Sequence, residues 1–431
     1  MKKGMLKRWF AVAISVLMAG SFTACGSKKS GVTNLAENET EQTITFFTPN
    51  NPFGMSEELE PRAVTMLYAE RTIPGLKIDY NTYRAKDYKE KTYDQVLIER
   101  ARANKDDIYY MNPDDVATLG KEGLLADLSG LSSAKNLRDF VKLANTVDGK
   151  LVAIPQNIVT YGLFLNKDLF DKYHLDIPQT PEDLLNCCKV FKENGINYPI
   201  GANRWWLECF VFANGYDELY LGDGDVDEKI EKINNGEAKY SDYLRNGFEY
   251  LKTLIDKGYI DAKTALTYEA MEGEGPAFKK GETPIVTAYW AAANNKSLYG
   301  NLDFNLEVIG FPSNHGNVAL VNCNGLSVLE NSPNKELALQ TIDTVVSDKA
   351  LKLYNQLDPG PTSSKNVDTE YTDQVKPLYD CIKNENYVLT TNASMNVEQW
   401  GNVCEIVREL MGGASVDECC EKLDALQEEA K

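Results

Sequence analysis

The stretch from Asp148 to Phe170 constrains the fold more than any other part of this sequence. Asp148-Gly149 opens as a turn, an apolar run from Leu151 to Ile154 follows, and Pro155 interrupts it. A second extended apolar run, Ile158 to Leu165, ends in the polar residues Asn166-Lys167-Asp168. Proline has no N–H to give a sheet ladder, so this is one extended segment broken at Pro155. It is long enough to leave one compact body and enter another. The chain has 431 residues, beyond the ~250–300 at which single cores stop growing, so two bodies are expected on length as well.

Composition excludes some partners. With 43% hydrophobic residues there is ample surface to bury. The net charge of −19 becomes −23 once the segment carrying Lys2, Lys3, Lys7 and Arg8 is removed. Nucleic acid and anionic lipid surfaces are therefore poor partners. None of the nine cysteines makes a Cys-x-x-Cys pair, so zinc and dithiol redox sites are not indicated. Most sit at helical spacing among apolar residues and read as small buried hydrophobes.

Residues 1–24 have a basic start, an apolar core from Trp9 to Ala19 and small residues before Cys25. That is a secretion signal, too short in its apolar part to span a bilayer. Residues 25–42 are Ser, Lys, Asn, Glu and Thr with almost nothing to bury, and read as a flexible tether. From Thr43 the order is strand, helix, strand, helix, strand: Thr43 to Thr48, a helix with Val64 and Leu67, Leu76 to Ile78, a helix with Val96 and Leu97, and Asp107 to Met111. Such alternation predicts a mostly parallel sheet, with ligands beyond the carboxyl ends of its strands. Phe304 to Pro312 is expected to be a strand returning to the first body, and Pro359-Gly360-Pro361 a further passage between bodies. Val397 to Met411 carries a helical apolar stripe, followed by a capping box at Ser415 and Glu418.

Two segments resemble signatures of the extracellular solute-binding proteins of the maltose-binding type. One is 148–170; the other is Ala277-Phe278-Lys279-Lys280-Gly281-Glu282-Thr283-Pro284 with the strand Ile285 to Tyr289 and Trp290. Phe22-Thr23-Ala24-Cys25-Gly26 resembles the bacterial lipobox. The resemblance covers roughly residues 43 to 428. It implies a two-lobed α/β periplasmic-binding-protein-like (type II) fold, each lobe a mixed, mostly parallel sheet flanked by helices and joined by hinge crossovers. Lobe 1 is expected at 43–157 plus 314–360 and lobe 2 at 158–313 plus 361–431. A lipid on Cys25 would hold the chain at the outer face of the cell membrane. The family's partners are a carbohydrate and the transmembrane subunits of an ABC permease, and a monomer without cofactor is expected; the alternatives are a cell-surface glycan-active enzyme, or the same receptor fold binding a peptide, amine or other small solute.

Enzymatic patterns are sparse. His174 and His315 are the only histidines, and no Gly-x-Ser-x-Gly turn or phosphate-cradling loop occurs. Asp223-Gly224-Asp225-Val226-Asp227 starts like a calcium loop but lacks the glycine and the glutamate such a loop needs. For binding, indole faces match the C–H faces of sugars while amides and carboxylates take hydroxyls. The resemblance places Trp290, Trp400 and Trp205 or Trp206 at a cleft, with burial in the core as the other reading. Polar candidates are Asn50, Asn51, Asn112, Asp114, Gln156 and Asn157, with helix capping or turn formation as the bland alternative for several. Tyr161 and Tyr289 complete the expected lining. The acid that the family often carries near Val159 is missing.

Overall fold

The computed structural model describes residues 41–50, 60–269, 272, 274–293, 299–367 and 369–430. The signal, Cys25, most of the tether and Asn51 lie outside the described residues.

A four-stranded sheet has the order β12-β3-β1-β2, where β1 is Gln42–Thr48, β2 Leu76–Thr82, β3 Ile108–Met111 and β12 Gly325–Val328. β1 is parallel to both β2 and β3, and β12 runs antiparallel to β3. Alternation along the strands feeds two helical layers. Ile44, Phe46 and Ile108 join Met66 and Ala69 of helix Pro61–Thr72. Phe47, Tyr109 and Met111 join Val96, Leu97 and Val116 of helices Tyr93–Arg102 and Pro113–Lys121. A buried carboxylate fixes this sheet to the chain that returns to it. Asp107 accepts from Thr45 N (2.7 Å), Thr45 Oγ1 (2.9 Å), Ser332 Oγ (2.5 Å) and Asn334 Nδ2 (3.3 Å).

A hairpin of two short strands, β4 (Thr146–Val147) and β5 (Lys150–Leu151), precedes the break at Pro155. The second sheet is built on β6 (Val159–Asn166), with β7 (Ile200–Gly201), β8 (Ile285–Tyr289), β9 (Leu306–Ile309), β10 (Phe311–Ser313), β11 (Gly316–Asn322) and β13 (Tyr387–Leu389). It is mixed, as expected, but mostly antiparallel where a mostly parallel sheet was expected. β6 is antiparallel to β8, β9 and β11, and only the β7–β8 and β11–β13 pairs are parallel. The segment 304–312 also differs from expectation, because β9 pairs with β6 and does not return to the first sheet. Nor does residue 314 begin the return. β11 still pairs with β6, and the chain passes to the first sheet between Asn322 and Gly325.

Three passages therefore join the two sheets, and they run against one another. Ile154 bridges Leu326, Asn157 bridges Thr362, and Ile158 N donates to Pro361 O at 2.8 Å. At Gly325 a Cβ would stand 3.0 Å from the backbone of Ile154, so a larger residue would push the two passages apart by a few tenths of an ångström. The eight described cysteines are buried and free of disulfides. Asp225 of the acidic turn caps helix Val226–Asn235 by accepting from Glu228 N. Among the described residues no helix is long and apolar enough to cross a membrane.

Candidate functional site

β6 and β8 present Tyr161 and Tyr289 as register partners at the end of the sheet nearest the passages. Both are half-buried, as are Trp206 and Trp400. Trp400 opens helix Trp400–Gly412 and lies nearly parallel to two rings. Its centroid distances are 5.4 Å to Tyr161 (22° between planes) and 5.7 Å to Phe212 (8°). Trp206 meets Tyr289 edge to face at 6.3 Å, and it does so from φ +70°. That left-handed backbone is costly for a bulky residue. The four rings form one aromatic wall on the second half.

The first half meets this wall through Asp114. Its Oδ1 accepts from Gln399 N at 3.1 Å and its Oδ2 from Trp400 N at 3.4 Å. Burial, against those two N–H groups and with Glu398 and Asp94 near, pushes its carboxyl up to about 7. Tyr110, half-buried on β3, carries the Arg62 guanidinium 4.3 Å above its ring. The chain from 393 to 396 adds further contact between the halves. Ser394 Oγ donates to Thr146 O at 3.0 Å, and Lys121 Nζ donates to Met395 O (3.1 Å) and Asn396 Oδ1 (2.7 Å).

Other sequence candidates lie elsewhere. Trp290 is 2% exposed and packs edge-on against Tyr379 at 6.0 Å. Gln156 is buried in the first half, donating to Thr65 Oγ1 and Val345 O. Asn112 caps helix Pro113–Lys121 through Asp115 N at 2.8 Å. Asn50 is exposed after β1, and Asn157 sits in the first passage, bridged to Thr362. Trp205 is engaged by its neighbours. Its Nε1 donates to Glu269 at 3.0 Å, and the guanidinium groups of Arg408 and Arg204 lie 4.4 Å and 5.2 Å from its ring.

Sequence reasoning passed over Asp358. It ends helix Asp348–Leu357, immediately before the third passage. Burial raises its carboxyl to about 6, and its charge bears on Tyr289, Tyr354 and Tyr379. No hydrogen bond to its side chain is formed among the described residues. It is an acceptor without a hydrogen-bond partner among the described residues, and the only signal in the sequence was an acid beside Pro359-Gly360-Pro361. Phe212, Tyr110 and Arg62 were also missed, since nothing local separates them from core or surface residues. A cavity of about 550 Å³ lies between Arg138–Phe140 and the chain around Pro361, Tyr371, Tyr379 and Tyr387, and none of the wall's four rings lines it.

Residues 57–352 match the bacterial extracellular solute-binding protein family. The chain belongs to this family. A fructooligosaccharide ABC transporter substrate-binding protein (FusA) of Streptococcus pneumoniae serotype 4 is 24% identical over 372 residues, 75% of this chain and 66% of that protein. A maltodextrin-binding protein (MdxE) of Bacillus subtilis is 25% identical over 305 residues, 68% of this chain and 65% of that one. The chain thus spans less than two thirds of these relatives' own length. Among solved structures, a family 1 extracellular solute-binding protein from Bifidobacterium longum subsp. infantis superimposes with a TM-score of 0.73 at 16% identity, covering 91% of this chain and all of that one. The two-lobed fold of the family is therefore the fold of this chain.

Proposed function

We propose that this solute-binding protein is the extracytoplasmic receptor of an ABC importer, that it captures a carbohydrate between its two halves, and that it performs no chemistry itself. The lobes would be 43–157 with 323–360, and 158–322 with the remainder. Closure would bend the three passages and favour the liganded form by differential affinity. The observation that carries this reading is the wall of Trp400, Tyr161, Trp206 and Tyr289. Its half-buried rings are set for stacking on a sugar, with Asp358 as an acceptor for hydroxyls. The names of the pneumococcal and Bacillus relatives point to oligosaccharides as the class. The lipobox-like sequence at Cys25 supports a lipid anchor, and the protein would act as a monomer that delivers its cargo to permease subunits.

Asp358 favours one second reading. A carboxylate without a hydrogen-bond partner among the described residues, its charge bearing on tyrosines, also suits a cationic group, as in an amine or an amino sugar. A thermal-shift screen over neutral oligosaccharides, amino sugars, amines and peptides tests both, because a ligand that binds only the folded form raises stability by mass action. A shift from neutral oligosaccharides supports the first reading. A shift confined to cations supports the second, and turnover of an oligosaccharide by catalytic amounts of protein would reject the receptor.

A further inference from the structure

Helix Trp400–Gly412 begins without a side-chain cap of its own at Gln399. The first amides of a helix have no partner inside it, and here they are satisfied from the other half of the molecule. Asp114 Oδ1 accepts from Gln399 N at 3.1 Å and from Gln399 Nε2 at 3.4 Å, and Oδ2 accepts from Trp400 N at 3.4 Å. The carboxylate that a cleft would offer to a ligand is already used. It orients the residue that carries the central indole of the wall.

The surroundings of Asp114 are unusual for an acid in such a seam. The charges of Asp94, on helix Tyr93–Arg102, and of Glu398, before Trp400, bear on Asp114, and that of Asp114 bears in turn on Asp115. On the second half, the charge of Asp114 bears on Tyr216 and Tyr240. Lys121, at the far end of helix Pro113–Lys121, donates its Nζ to Met395 O and Asn396 Oδ1. Among the described residues no three ligand-type side chains could hold a metal ion. Burial raises the carboxyls of Asp94, Asp115 and Glu398.

We infer that Asp114 is a positioning residue that latches the two halves across the cleft, and that the latch closes with uptake of a proton. The inference rests on the reading that the halves open and close, though not on which ligand is bound. Its sign follows from solvation. In the open form water reaches Asp114 and its carboxyl returns toward the usual carboxylate range, whereas in the latched form burial holds it at about 7. Closing then binds a proton once the pH falls through that value, and the closed population grows by at most about tenfold per pH unit for each proton taken up.

The test uses the ligand-free full chain, so a wrong assignment of the ligand leaves it untouched. Small-angle scattering should give a smaller radius of gyration at about pH 5.5 than at about pH 8, and Asp114→Asn should lose most of that change. Hydrogen exchange at about pH 6 should show the amides of Gln399 and Trp400 deprotected in Asp114→Ala and partly protected in Asp114→Asn, with helix Lys335–Val345 unchanged as the control for folding. A radius that does not depend on pH, the same pH course in Asp114→Asn as in the native chain, or equal amide protection in Asp114→Ala would overturn the latch. Should Asp114→Ala fail to fold, the Asp114→Asn pH course decides.

Discussion

Gly360→Ala is the substitution whose cost is most clearly set by the structure. Gly360 lies in the third passage, and a methyl there would stand 2.4 Å from Cζ2 of Trp290 and 2.9 Å from its Cε2 and Cη2. Carbon atoms rest about 3.5–4.0 Å apart, so about an ångström must be found. Trp290 is 2% exposed and held edge-on by Tyr379, and it cannot yield without repacking. Overpacking of this kind costs about 1–3 kcal/mol, and the short distances place Gly360→Ala toward the upper end. Trp290→Phe deletes the part of the indole that holds Cζ2 and Cη2. Alone it destabilises by leaving a cavity, but together with Gly360→Ala it makes room for the methyl. The double variant should therefore be more stable than the sum of the singles by about 1 kcal/mol or more. Urea denaturation followed by far-UV circular dichroism measures all four proteins. A neutral Gly360→Ala, or effects that add within about 0.5 kcal/mol, would refute the packing argument.

Four further outcomes are expected. Trp400→Ala should weaken oligosaccharide binding by about 1–3 kcal/mol, in the range of a lost aromatic anchor, with calorimetric titration as the readout. Asp107→Ala strips acceptors from Thr45, Ser332 and Asn334 and should cost about 3 kcal/mol of stability, while leaving affinity unchanged in the same titration. Asp358→Asn should stabilise the ligand-free protein. Its folded-state carboxyl is raised to about 6, so the ionised form is penalised above that pH and the penalty fades as the pH falls toward the ordinary value near 4. A gain of order 1 kcal/mol at about pH 8, absent at about pH 4, is expected from denaturation at the two pH values. Cys25→Ala should release the protein from the membrane fraction to the medium, since stable anchoring needs the lipid chains, and fractionation with immunoblotting reads this directly.

Much of the fold was legible because it is local. The pattern from Thr43 to Met111 yields the parallel strands β1, β2 and β3, and Pro155 marks the first passage in sequence and structure alike. The second sheet was misread because its ladder is not local. β6 pairs with strands more than a hundred residues away, and nothing in an apolar run states the direction of a distant partner. The site divided in the same way. Tyr161, Tyr289, Trp206 and Trp400 were named from their rings and positions, and they meet in the structure. Trp290 has the same chemistry but is sealed against Gly360 and Tyr379. Asp114 was found as an acid after a strand, but its commitment to the backbone at Gln399 and Trp400 depends on chain 285 residues away. Asp358 was missed because its meaning comes from the tyrosines its charge bears on.

The central claim is that the aromatic wall is where a carbohydrate rests. Titration of the purified chain with malto-, fructo-, galacto- and xylo-oligosaccharides, followed by tryptophan emission, addresses it most directly. The account predicts a saturable change with at least one of these sugars that is lost in Trp400→Phe, since the indole facing the ligand is then gone. Saturable binding with an unaltered response in Trp400→Phe, or no response to any of the sugars, would contradict it.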